Sequence, residues 1–443
     1  MATQKVKLVD PVIVVPGITA TYLLDEYPVS HEQVWNLLSN KFERVALHPN
    51  NLKYEAQEPA RIRPGQIFEV AYKELIEELR YNLREKEDLT VPVYPFGYDW
   101  RMPLEKAEME LDAFIEEVIE RTKLLRHYHK NGYEKEPKVN LIGHSMGGLV
   151  IAGYLINKGK TAPVNKVITL ATPFRGSFEA VMKLATGNAE LGTTTHSSRE
   201  RDTARLTPAL YYLIPTFTNG INFGAGIPKS LFNPGAWQPT ITQSIGEFIR
   251  LNGLPVDNIQ KKAEELFKEL LNGAEEHSKR LEAFTLNMAG LDKKKWMAVV
   301  GVDAKTRVKL NIIKKNGKAG FEIRSEDRDD KWKDKNQAVR RLTGDGTVPY
   351  EGAVPPFLKE ENLICVTPDD YGYWEVKDKA LSAVGGFHGI LPNMNMIHRL
   401  IVRFLKDLDD PRGNTWGSKA PGVDKWSPPL KLEEKKITNK NRF

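Results

Sequence analysis

Residues 139–152 read Val-Asn-Leu-Ile-Gly-His-Ser-Met-Gly-Gly-Leu-Val-Ile-Ala, and this stretch restricts the fold more tightly than any other. Val139-Asn140-Leu141-Ile142 reads as a buried strand and the apolar residues from Leu149 as a helix, so Gly143-His144-Ser145-Met146-Gly147 must be the corner that joins them. The corner is sharp. Positions two before and two after the serine must lack side chains, and Gly143 and Gly147 stand there. Ser145 is left at a helix N-terminus, where backbone N–H groups can donate to a negative oxygen. The bland alternative, a glycine-rich turn with a bystander serine, fits poorly with a motif that both follows a strand and opens a helix.

Apolar strands recur on either side. Residues 11–20, Pro-Val-Ile-Val-Val-Pro-Gly-Ile-Thr-Ala, read as an apolar strand that stops at the Pro-Gly turn, as a central parallel strand does at its carboxyl end. Val91-Pro92-Val93-Tyr94 leads into Phe96-Gly97-Tyr98-Asp99-Trp100-Arg101, and Lys166 to Pro173 holds another strand. Leu75, Leu79 and Leu83, then Leu111, Phe114, Ile115 and Val118, mark amphipathic helices between them. The alternation predicts an α/β fold with a mostly parallel, doubly wound sheet, whose ligands bind beyond the carboxyl ends of the strands. Residues 1–173 are expected to form the N-terminal part of this core.

From 174 to 295 the alternation lapses. This span holds a Thr/Ser-rich loop (187–198), an apolar stretch with Leu206, Leu210 and Ile214, and a charged helix from about Asn258 to Phe284. The chain must return to finish the sheet, so an inserted, largely helical cap is expected here. The core resumes over 296–430 with a strand at 296–302, a hairpin near 307–324 around Asn316-Gly317, a strand at 362–367 and a helix at 391–408. Asn-Gly is the pair that best suits a type I′ turn. Residues 431–443 are expected to be a frayed basic tail.

Bulk properties exclude several classes. Of 443 residues, 41% are hydrophobic and 28% charged, a globular composition without the run of roughly 18 apolar residues that a membrane span needs. A net charge of +6 is compatible with peripheral contact to an anionic membrane and speaks against nucleic acid, which asks for a clustered basic patch. The first residues lack an apolar secretory segment, and Cys365 is the single cysteine, so a cytoplasmic setting without a disulfide is expected. The histidines lack ligand spacing, so neither a metal nor an organic cofactor is expected. No protein partner is legible.

A serine hydroxyl is a poor nucleophile at neutral pH, so Ser145 needs a base and the base an orienting carboxylate. In this architecture they follow in the order Ser, acid, His. His388, in Val384-Gly385-Gly386-Phe387-His388-Gly389, lies where flanking glycines let the backbone bring an imidazole over the corner. Its rival His398 has a spacing to Leu391 and Met394 that reads as packing, and His144 reads as a structural hydrogen-bonding residue. For the acid, Asp345 in Gly344-Asp345-Gly346 stands first and Asp303, just after the 296–302 strand, second; an Asp-Gly turn made only for its backbone is the plain alternative. Asp99 with Arg101 reads as a buried brace. Oxyanion donors are expected from the amides of Met146, after the nucleophile, and Ile18, in the loop after the first strand. Tyr211, Tyr212, Leu213, Phe217, Phe223 and Trp237 would line an acyl groove or simply form the core of the cap.

Five motifs, Pro-Val-Ile-Val-Val-Pro-Gly (11–17), Tyr-Asp-Trp-Arg (98–101), Gly-His-Ser-Met-Gly-Gly (143–148), Leu-Thr-Pro-Ala-Leu-Tyr-Tyr-Leu-Ile-Pro (206–215) and Gly-Asp-Gly-Thr-Val-Pro (344–349), together resemble the lecithin:cholesterol acyltransferase family. That family includes lysosomal phospholipase A enzymes and phospholipid:diacylglycerol acyltransferases, within the α/β-hydrolase fold. The resemblance implies Ser145, Asp345 and His388 as a triad, and an acyl-enzyme attacked by water or by a lipid hydroxyl. Where the family continues Leu-Gly after Pro16-Gly17, this chain has Ile18-Thr19. The expected function is a serine-dependent hydrolase or O-acyltransferase acting on a phospholipid or glycerolipid ester. Alternatives are a small-ester or thioester hydrolase with the same triad, and an inactive lipid-binding or signalling scaffold.

Overall fold

Six parallel strands form the central sheet: β1 Val12–Val15, β2 Val93–Pro95, β3 Val139–His144, β4 Val164–Leu170, β5 Trp296–Gly301 and β6 Ile364–Val366. Their spatial order is β6-β5-β4-β3-β1-β2. The chain starts inside the sheet, fills one edge, and then returns past β1 to build the other side, which is the doubly wound arrangement expected. The computed structural model describes residues 8–36, 41–57, 59–187, 198–372, 375, 378 and 386–435.

Alternate side chains of each strand enter different cores. Ile13, Val15, Leu141, Val167, Ala298 and Val300 pack under the helices Leu104–Lys123 and Met146–Lys158. Val12, Val14, Ile142, Ile168, Met297 and Val299 pack under Glu69–Asn82 and Asn395–Lys406. Both faces are therefore dry, which is why the strands read as continuous apolar runs. Each buried Val, Leu or Ile contributes about 1.5–3 kcal/mol relative to exposure. In register, Val15 lies opposite Gly143, and Gly143 opposite Thr169. The loop after β1 and the corner after β3 thus emerge side by side at the carboxyl edge.

Between β1 and the helix Glu69–Asn82 the chain makes an element absent from the periodicity reading. Thr21–Asp25, Glu32–Trp35 and Ile62–Ile67 form an antiparallel sheet, and Leu47–His48 pairs with Asn51–Glu55. These strands are short and their register is interrupted, so no clean alternation betrays them. Long-range contacts hold them instead, such as Trp35 against Trp100 at 4.7 Å between ring centres.

Between β4 and β5, helices including Phe178–Thr186, Thr240–Asn252 and Ile259–Ala283 enclose a third apolar cluster with Val181, Leu210, Trp237, Ile241 and Leu270. The longest of them starts where the Asn258 side chain accepts the Lys261 N–H, which satisfies one of the four orphan donors of a helix N-terminus. Most of the Thr/Ser-rich loop, residues 188–197, lies outside the described residues. The hairpin Leu310–Lys315 and Lys318–Glu322 turns on Asn316 (φ 50°) and Gly317 (φ 78°), the two left-handed residues of a type I′ turn. Its first strand also pairs in parallel with Ile221–Phe223, and Leu310 and Ile312 enter the third cluster. The hairpin therefore packs with the inserted segment.

The expected fraying of the tail is overturned for its first residues. Arg403 donates to the Lys431 carbonyl at 2.9 Å and Lys435 N–H to the Gly417 carbonyl at 2.8 Å, with Glu433–Glu434 beside Trp416–Gly417. Backbone pairing ties down a segment whose composition alone reads as loose; residues 436–443 lie outside the described ones. Among the described residues no helix is long and apolar enough to cross a membrane.

Candidate active site

Ser145 sits at φ 53°, ψ −129°, a backbone region that costs a non-glycine residue on the order of 1–3 kcal/mol. The surroundings hold it there. Its N–H donates to the Leu170 carbonyl at 2.9 Å and its carbonyl accepts the Gly148 N–H at 3.1 Å. A Cβ on Gly147 would fall 2.2 Å from the Val15 carbonyl oxygen, and one on Gly143 2.7 Å from Gly148 Cα. Both obstacles are backbone, so neither glycine can be replaced without moving a strand or the helix.

Three of the expected residues meet in one line. His388 Nε2 lies 2.9 Å from Ser145 Oγ, and His388 Nδ1 lies 2.7 Å from Asp345 Oδ2. The other carboxylate oxygen is occupied. Asp345 Oδ1 accepts the N–H groups of Thr347 at 2.9 Å and Val348 at 2.7 Å, which locks the acid in its turn and leaves Oδ2 for the imidazole. The His388 N–H also donates to the Asp345 carbonyl at 3.0 Å. All three side chains are buried. Of the loop before His388, Val384 and Gly385 fall outside the described residues, while Gly386 turns at φ 88° into the short helix Phe387–Ile390.

The rivals are placed elsewhere. Asp303 pairs with Lys333 Nζ at 2.6 Å; burial pushes its carboxyl up to about 6 against the pull of that ammonium, with Asp330 adding to the rise. His398 Nε2 lies on the Pro392 carbonyl oxygen at 2.8 Å, and burial pushes its pKa down to about 4. His144 turns away from the serine, its Nδ1 2.7 Å from Tyr72 Oη and its Nε2 2.9 Å from the His388 carbonyl oxygen.

Asp99 and Arg101 do form a buried brace. The guanidinium meets the carboxylate through Nε at 2.9 Å and Nη2 at 2.7 Å, and extends to Glu55 at 2.9 Å and the Val45 carbonyl at 3.0 Å. Burial pushes Asp99 up, but the Arg101 charge and its hydrogen bonds pull harder, and the carboxyl is held below its usual range. The brace fastens the antiparallel insert to the exit of β2.

The loop after β1 presses on Ser145: a Cβ at Gly17 would lie 2.9 Å from Ser145 Cβ. Ile18 follows, half-buried, between two anchored neighbours. Gly17 N–H reaches Tyr72 Oη at 2.9 Å, and the Thr19 carbonyl accepts Trp35 Nε1–H at 2.9 Å. Thr19 has φ 63°, a left-handed conformation that glycine adopts more readily than threonine. Met146 opens the helix after Ser145, among the first N–H groups that lack an intrahelical acceptor. Tyr72, Trp35 and Glu55 escape the sequence reading, because each acts through a residue more than 15 positions away and none lies in a motif.

Among the aromatic residues expected in a groove, Tyr211 and Trp237 are core of the third cluster, their polar atoms donating to the Arg205 and Leu231 carbonyls. Tyr212 donates to Glu105 at 2.6 Å. Phe217 and Phe223 are only partly buried against the same cluster.

Comparison with known proteins agrees with the motifs. The family model Lecithin:cholesterol acyltransferase matches residues 63–244, a span that holds residues 98–101, 143–148 and 206–215. The chain is similar to Phosphatidylcholine-sterol acyltransferase of Gallus gallus, with 30% identity over 135 residues. That match covers 29% of this chain and 29% of the relative. Among solved structures, the chain resembles one in the crystal structure of the Tle4-Tli4 complex, at 13% identity and a TM-score of 0.60, over 90% of this chain and 99% of that one. At that identity the likeness is one of fold, and the fold is that of the α/β-hydrolases.

Proposed function

From the likeness to the lecithin:cholesterol acyltransferase family and the hydrogen-bonded line Ser145–His388–Asp345, we propose that the chain is a serine-dependent acyl-ester hydrolase or O-acyltransferase acting on phospholipid or glycerolipid. Ser145 Oγ attacks the ester carbonyl while His388 Nε2 takes its proton. Asp345 Oδ2 holds the Nδ1–H and stabilises the imidazolium. The carbonyl oxygen becomes an oxyanion held by the amides of Ile18 and Met146, donors that serve best at about 2.7–3.1 Å from the developing charge. As the tetrahedral species collapses, His388 returns the proton to the leaving alcohol and the acyl group stays on Ser145. Water or a lipid hydroxyl then attacks the acyl carbon while His388 takes its proton, and as the bond to Ser145 Oγ breaks His388 returns that proton to Oγ, releasing a fatty acid or a new ester. Residues 174–295 serve as the cap over this edge. The charge of +6 and the lone, buried Cys365 support a cytoplasmic setting with peripheral membrane contact.

The observation that carries the reading is the pair of distances at His388, 2.9 Å to the serine and 2.7 Å to the acid. The test is to incubate wild type and Ser145→Ala with a mixed lipid extract and follow free fatty acid and new acyl esters. Ser145→Ala is expected to lower turnover by about a millionfold, and a fluorophosphonate to label wild type but not the variant. Retained turnover in Ser145→Ala would sink the serine mechanism. Failure of folded wild type to label would favour the inactive scaffold, and activity limited to acyl chains of a few carbons the small-ester hydrolase.

A further inference from the structure

Three parts of the candidate site come from distant segments: the loop after β1, the residue before Ser145, and the short helix that carries His388. One buried line of hydrogen bonds joins them. Gly17 N–H meets Tyr72 Oη at 2.9 Å, Tyr72 Oη meets His144 Nδ1 at 2.7 Å, and His144 Nε2 meets the His388 carbonyl oxygen at 2.9 Å. Its ends set its direction. A backbone N–H only donates and a carbonyl only accepts, so the Tyr72 hydroxyl accepts from Gly17 and gives its own proton to Nδ1, and His144 carries its ring proton on Nε2. A doubly protonated His144 would make Tyr72 Oη accept twice and leave the tyrosine proton without its acceptor in this line. Burial, with His388 alongside, holds His144 well below the usual histidine range despite the bond to the His388 carbonyl, and burial keeps Tyr72 a neutral hydroxyl.

We infer that Tyr72 and His144 are positioning residues that hold the oxyanion loop and the backbone of His388 in register on either side of Ser145. The inference rests on the serine mechanism proposed above. Both ends of the line sit where slack would matter. Gly17 precedes Ile18 and touches Ser145, since a Cβ there would lie 2.9 Å from the serine Cβ. At the other end, the His388 residue is clamped from both sides, its N–H on the Asp345 carbonyl at 3.0 Å and its own carbonyl on His144 at 2.9 Å. The imidazole rings of His144 and His388 lie 5.1 Å apart. A neutral His144 therefore supports the His388 backbone without competing for the proton that His388 takes from Ser145.

Tyr72→Phe keeps the ring in its apolar setting and removes two links; His144→Leu breaks the line in the middle and leaves Gly17 its acceptor. With a p-nitrophenyl ester that Ser145→Ala does not turn over, each variant is expected to lose about ten- to hundredfold in kcat, with KM within about twofold. The double variant should be no slower than the worse single one, because both cut the same line. Tyr72→Phe with wild-type kcat alongside an inactive Ser145→Ala would overturn the positioning role and leave the serine mechanism standing, as would losses that multiply in the double variant. Wild-type turnover in Ser145→Ala would overturn the mechanism itself. Should Tyr72→Phe fail to fold, His144→Leu carries the same test.

Discussion

His398 and His388 differ by ten positions and by everything around them. His398 lies buried in the helix Asn395–Lys406, and its pKa is pushed down to about 4. In the unfolded chain a histidine takes its proton near about 6.5. The folded state binds that proton only nearer the lower value, so the unfolded state gains protons first as pH falls. Stability is therefore full above about pH 6.5 and lost progressively toward about pH 4, by roughly 3 kcal/mol from this residue. His144, also held low by burial, acts with the same sign. Urea unfolding of His398→Gln across this range should show a shallower decline than wild type, and equal slopes would mean that another group titrates.

At the scale of an element, the corner is decided by what a methyl group would strike. A glycine-to-alanine change inside a helix is ordinarily favourable by up to about 1 kcal/mol. At Gly147 the added Cβ would fall 2.2 Å from the Val15 carbonyl oxygen and 2.6 Å from that of Pro16, so the helix would have to back away from β1 and carry Ser145 with it. Gly147→Ala is expected to lower the thermal midpoint and abolish fluorophosphonate labelling. Gly320→Ala, in the hairpin strand where nothing lies within 4 Å of the same Cβ, should do neither. Normal labelling in Gly147→Ala would show that the helix can retreat without disturbing the serine.

The inserted segment is tied to the core by a buried polar cluster. Glu108, on Leu104–Lys123 and 1% exposed, takes Asn157 Nδ2 at 2.7 Å and His277 Nε2 at 3.2 Å, with Arg280 at 3.6 Å. Glu105 beside it takes Arg280 at 3.0 Å and the Tyr212 hydroxyl at 2.6 Å. Helix Met146–Lys158 admits this carboxylate only because residue 153 is glycine, whose Cβ would lie 1.9 Å from Glu108 Oε1. The cluster therefore joins the helix that starts at Ser145 to the long helix of the insertion. Glu108→Ala would leave Asn157 Nδ2 and His277 Nε2 without their buried acceptor while Arg280 keeps Glu105 at 3.0 Å, at a cost of about 2–4 kcal/mol in unfolding free energy. A loss under about 1 kcal/mol would mean that solvent replaces the carboxylate freely.

Strand, corner and helix at 139–158, the doubly wound character of the sheet, the Asn316-Gly317 turn and the Asp99–Arg101 brace are all legible in the chain. They depend on side-chain alternation, on glycine at fixed offsets and on neighbours two residues apart, and those constraints act locally. The Ser145, His388 and Asp345 candidates are legible too, because each is framed by glycines that mark a sharp turn or loop. The glycine turn ranks Asp345 ahead of Asp303, but which of the two stands opposite the imidazole and which opposite a cation is set by the tertiary structure, where Asp345 meets His388 and Asp303 meets Lys333. Tyr72, the antiparallel sheet at 21–67 and the union of the hairpin with the insertion depend on partners dozens to hundreds of residues away. No local period encodes such partners. The serine corner thus belongs to the sequence, and the alignment of the groups around it to the folded chain, where hydrogen-bond distance is set by packing across three separate segments.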